Sequence, residues 1–232
     1  MQSYEIKVEE NVIKGTLYYK NTAVLNFTIR YPRFISNMFQ IFLIEINWYY
    51  RTRTMIYINN HIQTLYDMAK EQYDYAEENK FPFHPYEVVT EYHVTYNQNC
   101  FLSLYTDFYE YTGGAHGNTV RKAETWDLIN NKKASLMDFF QMNHVQEFII
   151  GYIINQIEKE ISSGDNPYFE DYKALVAENF NQDSFYLDNE GVVIYYGKYD
   201  IAPYASGIRT FTIPYTTGGV IPPSCSITNI QT

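Results

Sequence analysis

The chain has 232 residues, 46% of them hydrophobic and 18% aromatic, with 25 Tyr and 15 Phe. That length suits one large domain or two small ones sharing a core, and the apolar fraction is enough to fold without staples. The net charge of -10 is uneven, with residues 1–90 balancing at -1 and residues 91–232, eight Lys/Arg against seventeen Asp/Glu, at -9; nucleic acid and anionic lipid are therefore poor partners for the second part, and the excess serves either solubility or a cationic partner.

Two strands open the chain, Val12–Tyr19 and Val24–Arg30, rich in β-branched and aromatic residues, with Lys20, Asn21 and Thr22 as the turn of a hairpin. Pro32 cannot donate to a ladder and is expected to end the second strand. A long helical region follows from about Asn37 to Asn79. Its second half places Ile58, Ile62, Leu65, Ala69, Tyr73 and Ala76 in one apolar stripe, and Pro82 and Pro85 stop it. A three-stranded meander comes next: Tyr86–Tyr96, a turn at Asn97, Gln98 and Asn99, then Cys100–Tyr111, the loop Thr112–Asn118, and Thr119–Leu128. Asn130 and Asn131 turn the chain.

Ser135 can cap a short turn through Leu136–Phe140, and His144–Ser162 reads as an amphipathic helix with Val145, Phe148, Ile149, Tyr152, Ile153 and Ile157 on one side. Phe169–Phe180 predicts a shorter helix. Phe185–Leu187, Val192–Tyr196 and Arg209–Ile213 predict closing strands, with Tyr199–Gly207 between the last two. Strands joined mainly by hairpins imply an α+β fold, an antiparallel β-sheet packed on one side by helices. Residues 1–90 form a small strand-and-long-helix domain in this reading, 91–216 a larger α+β domain, and 217–232 a flexible tail.

No run of about 18 uncharged apolar residues occurs, so no membrane span is expected; the most apolar stretch, Phe39 to Tyr50, contains Glu45. No signal peptide opens the chain, which predicts either a cytosolic protein or an exported one whose leader or anchor has been removed. Cys100 and Cys225 stand outside any CxxC pattern, so a zinc site is not expected. Cys100 lies in a strand-like run and reads as a small buried apolar residue, with a Cys100–Cys225 disulfide as the alternative in an oxidising compartment.

No catalytic motif is recognisable and no cofactor or metal site is expected. The five histidines form no close pair of metal-ligand spacing; His93 lies two residues from Glu91, which predicts a solvated surface pair. The loop carrying Gly113, Gly114, His116 and Gly117 lacks the Lys-Ser/Thr of a phosphate cradle, and its expected role is a tight strand connection, with a binding or catalytic His116 as the sharper alternative. No GxSxG nucleophile elbow occurs. Carboxylates are plentiful, so an unrecognised hydrolase with two carboxylates at working separation stays open. The segment Asp200–Gly207 differs in character. Pro203 fixes φ, Gly207 permits a tight return and Tyr204 offers a rigid amphipathic ring, so this is either a stiff recognition tip or a crossover whose Tyr packs down on the sheet.

Three stretches carry a resemblance: Tyr111 through Gly113, Gly114, His116 and Gly117 to Asn118; Trp126 to Phe139; and Phe185 to Tyr215 with its Ile201-to-Gly207 loop. They resemble the extracellular domain pair of RsiV-type anti-sigma factors, the bacterial sensors of lysozyme, a pair that also precedes the catalytic domain of PdaC-type peptidoglycan deacetylases. Residues 12–90 are similar to the smaller domain of that pair and 91–216 to the larger. The resemblance implies an extracytoplasmic bacterial location, secreted or on the cell surface, and a binding role toward a cell-wall-related protein or glycan. In the RsiV-type case the partner is a strongly cationic lysozyme, which suits the -9 of residues 91–232. No sigma-binding segment, membrane helix or deacetylase domain is recognised in this sequence, so neither signalling nor deacetylation is expected of it. The expected partner-binding residues are Tyr199, Pro203, Tyr204 and Ser206, with Gly114 and His116 as possible neighbours. The expected partner is a basic protein such as a lysozyme, or alternatively cell-wall glycan bound by exposed tyrosines.

Overall fold

The computed structural model describes residues 6–164 and 166–225. Its N-terminal elements are a long hairpin, β1 (Lys7–Tyr19) and β2 (Thr22–Ile35), paired from Lys7↔Ile35 to Tyr19↔Thr22 with one shift of register between Leu17 and Tyr18. Lys20 and Asn21 close it with φ of 45° and 65°, the left-handed pair that matches the twist of adjoining strands. Pro32 lies inside β2 and does not end it. The pairing of β2 with β3 (Tyr86–Gln98) stops at Ile29↔Thr90, so Pro32 has only the β1 ladder to serve and its missing N–H is tolerated.

β2 and β3 are parallel, so this sheet is mixed where an antiparallel one was expected. Parallel neighbours need a crossover, and here it is one long helix: α1 (Gln40–Ile56), a π turn (Tyr57–Ile62) and α2 (Gln63–Asn79). Ile62, Leu65 and Ala69 of the predicted stripe bury against Val24, Leu25, Ile29, Tyr86 and Val88. Lys80, at φ 56°, ends the helix in the left-handed conformation before Pro82 can clash with it.

β3 turns into β4 (Phe101–Tyr111) through Asn99 and Cys100, both at positive φ, so Cys100 sits in the turn and not in the strand. β5 (Asn118–Asp127) and the short β6 (Lys132–Lys133) complete a mixed six-stranded sheet in sequence order, β1 to β6.

The later elements are a 3-10 turn (Leu136–Phe139), α3 (Val145–Ser162), α4 (Tyr172–Glu178) and the strands β7 (Phe185–Leu187), β8 (Gly191–Tyr196) and β9 (Arg209–Pro214). The three strands form a second, antiparallel sheet. Ile149, Ile153 and Ile157 of α3 are fully buried in one core with Leu187, Val192, Ile194, Phe211 and Ile213, each such side chain contributing roughly 2 kcal/mol. β8 is buried on both faces: Val192, Ile194 and Tyr196 join that core, while Val193 and Tyr195 pack with Ala123 and Tyr186. Gly191 is required at its start, because a Cβ there would lie 2.1 Å from the Ile213 carbonyl oxygen.

The fold is thus α+β. Two compact units divide the described chain, Ile6–Tyr92 with Thr106–Val120, and His93–Tyr105 with the chain from Arg121 onward. The middle strands β3, β4 and β5 each contribute residues to both. The tail expected from 217 is held as far as Cys225. Gln141 N donates to Gly219 O and Ile221 N to Phe139 O, Val220 is buried, and Cys225 is disulfide-bonded to Cys100. The bond replaces the free buried thiol expected at Cys100. Residues 226–232 of that tail lie outside the described residues.

Candidate functional site

The segment between β8 and β9 is built as a buried foot and an exposed tip. Ile201 and Ala202 are buried, and Ile201 O accepts from Phe169 N at 3.2 Å. On the near side the Asp200 carboxylate accepts from Gly197 N at 2.6 Å, and Asp200 O accepts from the Asn179 side-chain amide at 2.7 Å. On the far side Ser206 Oγ donates to Pro167 O at 3.1 Å. Ser206 N and Gly207 N close a 3-10 turn onto Pro203 O and Tyr204 O, and Gly207, at φ 66°, returns the chain.

What this frame presents is aromatic. Tyr199 is 59% exposed and held at φ 67°, a conformation non-glycine residues adopt only under local constraint. Tyr204 is half-buried; its ring centroid lies 5.9 Å from that of Tyr199, and Lys198 Nζ stands 4.3 Å above it. Pro203 and Ala205 are exposed beside them. The chain leading into the tip, Glu170 to Asp200, carries seven Asp/Glu against two Lys.

Below the tip, Arg209, Glu160 and Tyr168 form a closed triangle. Arg209 Nη2 donates to Glu160 Oε2 at 2.7 Å and to Tyr168 Oη at 2.6 Å, and Tyr168 Oη donates to the same Glu160 oxygen at 2.6 Å. Burial, with the Glu160 carboxylate, pushes the Tyr168 hydroxyl well above its ordinary value, so it stays a donor. The triangle joins α3 to the start of β9 and to the segment that receives Ser206. None of its three members stood out in the sequence, where Glu160 and Arg209 are separated by 49 residues.

Gly114 and His116 belong to the other compact unit, on the exposed loop between β4 and β5. Gly113 is at φ 87°, while a Cβ on Gly114 would meet nothing within 4 Å. Glu91 and His93 part company: Glu91 pairs with Arg30 at 3.4 Å, and the His93 ring lies on Tyr105, centroids 4.9 Å apart.

Family models match two successive stretches: deacetylase PdaC over residues 19–119, and a protein family of unknown function, DUF3298, over residues 137–216. The chain carries the PdaC–DUF3298 domain pair. Two solved structures share its fold. A DUF3298 family member from Bacteroides fragilis aligns at a TM-score of 0.73 with 21% identity, covering 96% of each chain. A DUF3298 protein from Pseudomonas aeruginosa aligns at 0.62 with 16% identity, covering 94% of this chain and 95% of that one. No curated protein matches the chain.

The Tyr199–Gly207 tip thus lies in the DUF3298 stretch, and the Gly113–Gly117 loop in the PdaC stretch. The PdaC stretch also holds a cluster that the sequence did not announce. Glu110 Oε1 of β4 accepts from Tyr57 Oη at 2.9 Å and lies 2.5 Å from His61 Nε2, with Tyr57 and His61 both on the π turn. π turns concentrate at functional positions, and this one aims two polar side chains at one carboxylate. Burial and the Glu110 charge raise the Tyr57 hydroxyl far above its ordinary range. Among the described residues no group of three or more His, Cys, Asp or Glu is placed to hold a metal ion, and no helix is long and apolar enough to cross a membrane.

Proposed function

We propose that this chain is an extracytoplasmic bacterial binding module whose DUF3298 domain captures a cationic, lysozyme-like protein on the Tyr199–Tyr204 tip. The observation that carries this reading is the tip itself: two tyrosine rings held 5.9 Å apart on a backbone pinned at Gly197, Ile201 and Ser206. A preformed aromatic tip loses little conformational entropy on binding. The acidic segment from Glu170 to Asp200 suits a basic partner and would raise its association rate at low salt. The Cys100–Cys225 disulfide supports an oxidising location outside the cytoplasm. Calorimetric titration with a C-type lysozyme tests the proposal. Saturable heat that weakens with added salt and falls about tenfold or more in Tyr204→Ala is expected. Absence of heat and of lysozyme inhibition at low salt would remove it.

A second reading, a glycan-binding role, rests on a different observation. A groove of about 610 Å³ runs along α3, where Tyr152 stands beside Asn155, Gln156, Lys159 and Ser162. A tyrosine face flanked by amides and hydroxyls suits a sugar ring. Sedimentation with purified peptidoglycan separates the two readings: retention lost in Tyr152→Ala but kept in Tyr204→Ala favours the groove over the tip.

A further inference from the structure

The strand edges of this protein are treated unequally. At β9 the Gln156 side-chain amide donates to Thr212 O at 2.7 Å, and at β7 Leu187 N donates to Ser103 Oγ at 2.9 Å, so both edges are partly covered by side chains. β1 is 13 residues long, stands first in the six-stranded sheet and pairs on one side alone, with β2. Beyond that ladder, the only hydrogen bond to its backbone among the described residues lies near its end, where Tyr66 Oη donates to Tyr18 O at 2.8 Å. The strand alternates cleanly. Ile13, Leu17 and Tyr19 pack toward the core under the long helix, while Glu10, Val12, Lys14 and Thr16 are exposed on the opposite face, Val12 by 43%.

A second β1 set antiparallel by a two-fold axis perpendicular to the sheet keeps the exposed face of each copy on the same side. The exposed side chains then meet pairwise across the seam. With the axis at Val12, Val12 faces Val12 of the second copy, each Glu10 stands directly opposite a Lys14, and each Val8 stands opposite a Thr16. Both ion pairs lie on one face and span only the strand spacing of about 5 Å. Neighbouring registers lose this match. An axis at Glu10 or Lys14 sets like charges face to face, and an axis at Asn11 or Ile13 sets Glu10 and Lys14 opposite uncharged residues. Within one chain neither charge is well paired: Lys14 makes no ion pair among the described residues, and Glu10 makes only a 3.9 Å one with Arg30.

We propose that β1 is the dimerisation edge of this protein, adding antiparallel to the β1 of a second copy with the two-fold axis at Val12. The paired stretch runs from Lys7 to Leu17, about ten residue steps or roughly 34 Å. It stops where β1 shifts register against β2 and Tyr66 takes Tyr18 O. Main-chain bonds supply the affinity, and Val12 with the two Glu10–Lys14 pairs supplies the register. An exposed edge lysine ordinarily wards off a foreign strand. In this register the same lysine meets a carboxylate, so the edge favours its own copy. The contact is isologous and closes, giving dimers and not fibres.

Sedimentation of the full chain from about 1 to 200 µM tests this, and the expected average mass rises toward twice the 27.5 kDa of one chain. Lys14→Glu should weaken the dimer about tenfold, since both cross-seam pairs turn repulsive, and Glu10→Lys/Lys14→Glu should return to within about threefold of the parent. A covalent readout checks the register. Val12→Cys should form a disulfide-linked dimer in oxidising buffer, because facing Cα atoms of an antiparallel pair lie about 4.5 to 5.5 Å apart. Thr16→Cys should not, because the two Thr16 positions lie about eight residue steps, roughly 27 Å, apart along the seam. All these positions are exposed or half-buried on one strand face, and circular dichroism confirms that the variants fold. A parent chain that stays monomeric at the highest concentration overturns the proposal. So does a Lys14→Glu chain that dimerises as tightly as the parent or more so, which would make the lysine a guard of the edge. A double variant that fails to recover, or equal cross-linking at positions 12 and 16, overturns it as well.

Discussion

Two strand connections, each carrying glycine and aromatic neighbours, are handled in opposite ways. The loop between β4 and β5, Thr112 to Gly117, reaches out with glycines at its apex, and Gly114 has open space around it. The connection between β8 and β9 is longer yet is tied down at Gly197, Asp200, Ile201 and Ser206, and its aromatic residues are what remains outside. A backbone with so many fixed points keeps its exposed rings in one arrangement, which is what a recognition surface needs. Glycine count alone would have ranked the two loops the other way.

The largest expected effect comes from breaking the frame beneath the rigid tip. In Gly191→Ala the new Cβ meets Ile213 O and the backbone of Pro214, neither of which can swing aside. The β8–β9 pairing must part at Gly191↔Pro214, and a loss of about 3 kcal/mol in a urea titration is expected. A loss under about 1 kcal/mol would mean that the two strands are free to separate and that the tip is less firmly based than the hydrogen bonds imply.

Arg209→Met cuts the triangle while keeping the apolar stem. Glu160 keeps its bond from Tyr168 but loses the guanidinium, and about 2 kcal/mol should be lost. Part of the cost is offset, because Arg209 Nε is buried without a hydrogen-bond partner among the described residues. Denaturant midpoints measured beside lysozyme titration sharpen the comparison: stability should fall and affinity should fall with it if the triangle steadies the tip.

The same unit should lose stability in alkali. Burial pushes the Tyr195 hydroxyl up to about 12, and buried Tyr168 and Tyr196 are pushed further, against an ordinary value near 10. The unfolded chain therefore releases these protons first, so stability is full below about pH 10 and declines as pH rises toward the folded values. Each such tyrosine costs about 1.4 kcal/mol by pH 11. Tyr195→Phe gives up the 3.3 Å bond to Arg121 O and the hydroxyl's hydrogen bonds with Ser184 and Ala123, and should flatten this limb by one proton's worth in thermal melts between pH 9 and 11.5.

Much of the frame was legible because it is periodic. The α3 stripe, the β1–β2 hairpin and the Val192–Tyr196 strand follow from spacings of 3.6 and 2 and from turn residues, which are local properties. The misses are all nonlocal. Pro32 stays in a strand because β3 has already diverged, a fact about a neighbour 60 residues away. Cys100 and Cys225 are 125 residues apart, and composition cannot say that their Cα atoms lie 5.2 Å from each other. The extra residue that makes the π turn is legible only once Glu110 is seen to hold both Tyr57 and His61. Within the tip, Pro203 and Gly207 signalled a stiff turn, but the side chains that stiffen it, Asn179, Asp200 and Ser206, read as ordinary surface polar residues.

The smallest effect falls on the other loop and completes the contrast. Gly114 does not adopt positive φ, and a Cβ there meets nothing within 4 Å, so Gly114→Ala adds no clash and removes only backbone freedom from the unfolded chain. Stability should change by less than about 0.5 kcal/mol, toward gain if at all, and lysozyme affinity should match the parent within twofold. Gly113→Ala is the internal control. Its φ of 87° makes the same methyl costly by about 1 kcal/mol without touching any ring of the tip. If Gly114→Ala weakened lysozyme binding while leaving the urea midpoint unchanged, the open loop would be a contact surface in its own right, and rigidity would no longer separate the two connections by function.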